Sequence, residues 1–171
     1  MIEVRELTSP EGRRYLGALA QVLVDCVDGG ASVSFMPPFS QADAEGFFDS
    51  VLSEVEARKR ILLAAFVDGQ LVGTVQIVHA TPPNQVHRAD IAKLLVMRSA
   101  RAQGIGAGLM EQAEESARRA GKTLLVLDTC ADTAADRLYT RLGWTRVGII
   151  PKYALNPDGS WCDTTVFWKE I

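Results

Sequence analysis

The stretch Arg101-Ala102-Gln103-Gly104-Ile105-Gly106 joins an apolar run, Ile91 to Val96, to an amphipathic segment, Ala107 to Ala120. Such a run, a glycine-bearing turn and a helix-periodic segment read as strand, tight turn and helix. Glycines suit a turn whose backbone must approach a ligand closely, because they carry no Cβ. The first N–H groups of the following helix have no intrahelical acceptor, and the aligned peptide dipoles place positive potential at the same end. Phosphate oxygens are natural partners of such a helix start. Arg101 adds a charged fork able to grip a diphosphate bidentately. The segment therefore predicts a ligand with a diphosphate and a long neutral tail.

Three diphosphate-binding patterns compete for this stretch. A Walker-type loop requires G-x-x-x-x-G-K-[ST]; Gly121-Lys122-Thr123 comes nearest, but it lacks the glycine five residues earlier and follows a helix instead of opening one. A dinucleotide fingerprint is approached by Gly104-Ile105-Gly106-Ala107-Gly108-Leu109, yet its last glycine falls one residue early and no βαβ unit starts the chain. The remaining pattern, R-x-x-G-x-G after a strand ending Leu94-Leu95-Val96, resembles motif A of the GNAT acyltransferase superfamily, which binds acetyl-CoA there. His87 to Val96, with Val126-Leu127-Asp128-Thr129 and Ile150-Pro151-Lys152-Tyr153-Ala154, looks most like the tabtoxin-resistance-like branch.

Length and composition agree with such an enzyme. At 171 residues the chain suits one domain, residues 1–171, with enough length to bury a core without a metal or disulfide. A 47% hydrophobic and 23% charged composition sets aside disorder and coiled coil. The net charge of −3 argues against nucleic acid or an anionic membrane as main partner. Cys26, Cys130 and Cys162 are odd in number and widely spaced, which predicts reduced thiols, and no Cys/His spacing suggests a metal. The first residues lack a basic region followed by an apolar stretch, and no segment has the apolar length to span a bilayer. The expectation is a soluble cytoplasmic protein.

Outward from the motif, the pattern predicts a strand at Ile2–Leu7 and a helix opened by Ser9-Pro10-Glu11, running on through Val27 to Gly29-Gly30. A loop with two prolines, Ala31 to Phe39, precedes a second helix capped by Ser40 or Asp43. Asp68-Gly69 between two apolar runs is the clearest hairpin signal. The strand Arg88 to Val96 follows, with Asp90, Ala92 and Leu94 assigned to one face and Ile91, Lys93 and Leu95 to the other. Thr123 to Leu127 reads as a buried strand, Asp132 to Leu142 as a helix, and Asn156-Pro157-Asp158-Gly159 as a turn between two final strands.

The resemblance implies an α/β fold of α+β type: a twisted, mostly antiparallel sheet flanked by about four helices and split at the acetyl-CoA strand. Matched residue by residue, it sets Leu94, Leu95, Val96 and Met97 beside the pantetheine arm. The backbone N–H groups of Gln103, Gly104, Ile105, Gly106 and Ala107, with the Arg101 side chain, fall at the phosphates. Ala135 to Trp144 resembles motif B, in which Tyr139 stands near the sulfur as general acid. Asp90 and Asp128 match positions that carry acidic residues near the acceptor, as base or amine-orienting groups. The region between the first two helices lines the acceptor pocket, bringing in Ser34, Phe35 and Met36, and Tyr153 is a further candidate for substrate contact. His79 and His87 read as surface or loop residues. Trp144, Trp161, Trp168 and Phe167 fill the core or a homodimer interface.

The chain departs from the family pattern at Arg98, where proline is frequent, at Ala134 in place of asparagine, and at Asp90 in place of glutamate. The implied reaction is acetyl transfer from acetyl-CoA to a primary amine of an amino-acid-like or antibiotic-like small molecule. A protein N-terminus or lysine as acceptor and a non-catalytic CoA-binding sensor are the alternatives.

Overall fold

The computed structural model describes residues 1–171. Strand β1 (Ile2–Leu7) leads into helix α1 (Ser9–Arg14), whose N-cap is Thr8: its hydroxyl accepts from the Glu11 N–H, and the Glu11 carboxylate accepts from the Thr8 N–H at 3.0 Å. The predicted single helix breaks at Tyr15, which leaves helical geometry (φ −101°, ψ 10°) before α2 (Leu16–Asp28) begins. Packing causes the break. The Tyr15 ring docks edge-on against Phe66 at 5.1 Å and Arg5 lies 4.8 Å over Phe66, so the chain turns to follow the sheet. Helix α3 (Gln41–Glu56) uses both predicted caps, Ser40 at the N-cap and Asp43 bonding back to its N–H.

Seven strands form one sheet in the order β1-β2-β3-β4-β5-β7-β6. The hairpin of β2 (Arg60–Val67) and β3 (Gln70–His79) turns on Asp68 and Gly69, both at positive φ (49° and 81°), as a two-residue primed turn requires. Strand β4 (Arg88–Val96) pairs antiparallel with β3 and parallel with β5 (Leu124–Cys130), and helix α4 (Ile105–Arg119) crosses over between β4 and β5. Helix α5 (Ala134–Arg141), capped by Thr133, precedes β6 (Thr145–Leu155) and β7 (Trp161–Glu170). Five α-helices thus flank the sheet, one more than expected because the first divides.

The sheet has a core on each face. Leu19, Leu23, Phe48 and Leu52 of α2 and α3 bury against Leu62, Leu71 and Leu95. On the other side, Leu109, Met110 and Ala113 of α4 bury against Leu63, Ile77, Ile91, Leu125 and Phe167. Leu95 and Ile91 therefore lie on opposite faces, which overturns the simple alternation assigned to β4. The reason is a bulge: pairing passes from Gln76↔Ala92 to Thr74↔Leu95, and Lys93 takes a positive φ of 53°.

Two further expectations change. Trp144 and Phe167 are buried, but Trp161 and Trp168 are exposed, 63% and 37%, so those two do not fill the core. Cys130 and Cys162, expected as reduced thiols, are disulfide-linked between β5 and β7, with Cα atoms 6.1 Å apart; strand pairing brings together residues 32 apart in sequence. Cys26 alone is free. No helix is long and apolar enough to cross a membrane.

Candidate active site

The turn before α4 has the character its sequence suggests. Ala102 and Gly104 both take left-handed backbone, φ 60° and 81°, and Gly104 is the N-cap with no side chain to bond the helix end. The first backbone bond of this turn is donated by Gly108 to the Gly104 carbonyl at 3.0 Å, so the N–H groups of Gln103, Gly104, Ile105, Gly106 and Ala107 have no acceptor in the chain. Successive free amides around left-handed residues make an anion-binding concavity. Arg101 reaches back from it, donating from Nε to the Val96 carbonyl at 3.2 Å and from Nη2 toward Cys26 Sγ at 3.8 Å. Arg98, where the family favours proline, is tied to α2: its N–H and Nε donate to the Asp25 carboxylate at 2.7 and 2.9 Å.

Beside this turn the sheet opens. β4 and β5 pair only from Arg88↔Leu124 to Asp90↔Val126, after which β5 keeps β7 as its neighbour while β4 stays with β3. Leu94, Leu95, Val96 and Met97 form the β4 wall beyond that point, and the backbone of Ile91 to Val96 has no β5 partner. The close approach of β3 under the bulge requires Gly73, where a Cβ would stand 2.9 Å from the Leu95 carbonyl oxygen.

Two faces of the opening carry different chemistry. On the α4 side, Tyr139 is 5% exposed and packs against Trp144 and Phe167, with ring centroids 6.0 and 5.8 Å away. Its hydroxyl has no hydrogen-bond partner in the chain, unlike that of an ordinary buried structural tyrosine. Burial, and secondarily the Asp128 carboxylate, push its ionisation well above the usual tyrosine range, so the phenol is protonated at neutral pH.

Asp128 lies on the other face, because Leu125 and Leu127 take the α4 side of β5. It is exposed and accepts from Thr164 Oγ1 at 2.9 Å. Asp90 sits where β4 and β5 are still paired, and its carboxylate is already ion-paired with Arg88.

Lys93 was assigned above only to a strand face; the structure sets it at the bulge, among the loop residues expected to meet the acceptor. Its Nζ donates to Ser34 Oγ at 3.0 Å and lies 5.8 and 6.0 Å from the rings of Phe35 and Phe47. Phe35 is fixed by Phe39 and Phe47, at 4.6 and 5.1 Å. Ser32 Oγ donates to the Leu155 carbonyl at 2.8 Å, tying this loop to the strand that carries Tyr153, which is 57% exposed. The signal for Lys93 was a charge inside the apolar run Ile91 to Val96; the signal for Phe47 was hidden in an ordinary amphipathic helix.

Comparison with known proteins bears on this geometry. The pattern of the family described as acetyltransferase (GNAT) family matches residues 31–144. An uncharacterized N-acetyltransferase of the hisH-hisA intergenic region of Azospirillum brasilense is 31% identical over 106 residues, covering 61% of this chain and 61% of the relative. The chain thus spans about three fifths of that protein's length. A GNAT-family acetyltransferase structure from Streptococcus pneumoniae superposes with a TM-score of 0.81 at 22% identity, covering 100% of both chains. The Salmonella typhimurium yncA structure, solved with acetyl-CoA, gives a TM-score of 0.80 at 17% identity, covering 99% of this chain and 93% of that one. The chain belongs to the acetyltransferase (GNAT) family.

Proposed function

We propose that this protein transfers an acetyl group from acetyl-CoA to the primary amine of a small, amino-acid-like or antibiotic-like molecule. One observation carries the reading: five consecutive free amides, Gln103 to Ala107, open α4 directly beside the place where β4 and β5 part. They fit a diphosphate. The β5-facing backbone edge from Leu94 to Met97, free of strand partners on that side, fits an amide-bearing arm lying along it as an extra strand would. The family membership and the acetyl-CoA in the yncA structure support the coenzyme; the resemblance of β4, β5 and β6 segments supports the tabtoxin-resistance-like branch.

Acetyl-CoA supplies an activated thioester. The chain's residues supply position, proton transfer and a partly dry environment. Holding amine and thioester together removes much of the entropic barrier of a two-molecule reaction. Asp128, accepting from Thr164, orients the amine and takes its proton directly or through water. The amine nitrogen bonds to the acetyl carbon, the carbon–sulfur bond breaks, and the departing thiolate takes the proton of Tyr139, whose unshared hydroxyl is still protonated at neutral pH. Solvent then reprotonates the phenolate. Asp90, already ion-paired with Arg88, leaves Asp128 as the carboxylate free to take the proton.

The test is release of CoA thiol from acetyl-CoA over a panel of amines. Amine-dependent release supports the transferase. Tight CoA binding with no release by any amine or N-terminal peptide would support the sensor instead.

A further inference from the structure

We infer that Lys93 and Ser34 form a carboxylate-binding subsite on the acceptor side of the split, so that the preferred amine is a zwitterion whose acid group rests between them. The inference rests on the transferase reading and names its substrate class more narrowly. Both residues hold positive φ, 53° and 82°, a region L-residues with side chains avoid. At Lys93 the bulge that requires it turns a long cationic side chain toward the Phe35 and Phe47 rings and away from the α4 core. The Nζ atom contacts one neutral hydroxyl and two ring faces, and no carboxylate lies within ion-pairing distance.

An ammonium partly withdrawn from water without a counter-ion is costly. Burial, then the neighbouring Arg60 guanidinium, press Lys93 toward its neutral form, and Asp128 alone opposes them from the β5 wall. Arg60 is already paired with Glu54. A ligand carboxylate would supply the missing charge, and Ser34, which now accepts from Lys93, would donate its own proton to that carboxylate. The ligand's amine would then lie toward Asp128, the one carboxylate acting on Lys93.

Matched α-amino acids and their carboxamides, compared by thiol release at saturating acetyl-CoA, test the subsite. The wild type should favour the acids, and Lys93→Met should cut kcat/KM for acids by about 10- to 100-fold, the scale of a lost charged hydrogen bond, mainly through KM. Amide turnover should change by less than about threefold, and Lys93→Arg should keep part of the acid preference. Equal use of acids and amides by the wild type, or equal losses for both in Lys93→Met, would overturn the proposal. A readout free of turnover separates it from the transferase reading: titration with an N-acetylated α-amino acid, followed at the labelled Lys93 side chain by NMR. A shift with the acid and none with its amide upholds the subsite even if no amine releases thiol, a result that would sink only the transferase; no shift with the acid sinks the subsite whatever the turnover.

Discussion

Ile91 and Leu95 stand four residues apart on one strand, an even spacing, yet they bury on opposite faces of the sheet, Ile91 against α4 and Leu95 against α2 and α3. Strand geometry forbids this unless one extra residue is inserted, and Lys93 is that residue. The same irregularity sits on the stretch of β4 that has left β5. A single local distortion thus turns the strand's end toward the opening between β4 and β5 and moves a cation to the sheet face away from α4.

Tyr139→Phe removes one oxygen that bonds nothing in the chain, so the fold should be unaffected. Turnover should fall about 10²-fold or more, the usual contribution of a general acid, with acetyl-CoA affinity within a few fold of wild type. Steady-state kinetics with calorimetric binding checks both; unchanged kcat removes Tyr139 from the chemistry.

Asp128→Asn keeps the size of the side chain and its contact with Thr164 but loses the charge. Turnover should fall, since the base is lost, and the acceptor's KM should rise about tenfold with one charge-assisted hydrogen bond gone, while the KM of acetyl-CoA stays put. A matching loss for both substrates would place Asp128 in the scaffold.

Asp25 links helix α2 to the start of the turn before α4. Burial raises its carboxyl, but the backbone N–H and the guanidinium of Arg98 more than offset this and hold it below the ordinary 3.8. A depressed folded value means that this stabilisation is complete above the unfolded value and disappears as pH falls through the folded one. Asp25→Asn should therefore lower Tm at pH 7 and cease to matter in strong acid. A Tm difference that does not shrink as the pH falls through the carboxylate range would contradict the assignment, because protonation of Asp25 removes the charge that the Arg98 bonds require.

Glu114 on α4 has a side chain only 9% exposed, accepting from Trp144 Nε1 at 3.1 Å and from Lys169 Nζ at 2.8 Å. Glu114→Ala leaves the Trp144 indole N–H without an acceptor and the Lys169 ammonium with only the Leu142 carbonyl, and should cost about 3 kcal/mol of stability, the range seen on breaking buried pairs. Urea unfolding measures this. A loss under about 1 kcal/mol would show that water reaches the cluster.

What the sequence disclosed is tied to local chemistry. The Asp68-Gly69 hairpin, the Ser40–Asp43 cap and the free-amide start of α4 each depend on residues adjacent in the chain, and each is readable there. The fold class followed from the order of such elements. The bulge at Lys93 was hidden because alternation is the default reading of an apolar run, and only pairing with Gly73 and Thr74 across β3 displaces it. The helix break at Tyr15 comes from Phe66 on a distant strand, and the Cys130–Cys162 pairing from β7 lying between β5 and β6. The acceptor side was least legible, since Ser34, Phe47 and Lys93 come from three separate elements.

Amide NMR of the isotopically labelled protein, titrated with CoA, tests the central claim most directly. The account predicts large, saturable shifts of the Gln103 to Ala107 N–H resonances, with pyrophosphate competing for the same signals. CoA binding that leaves those five amides unmoved, or no binding by the folded protein, would contradict it.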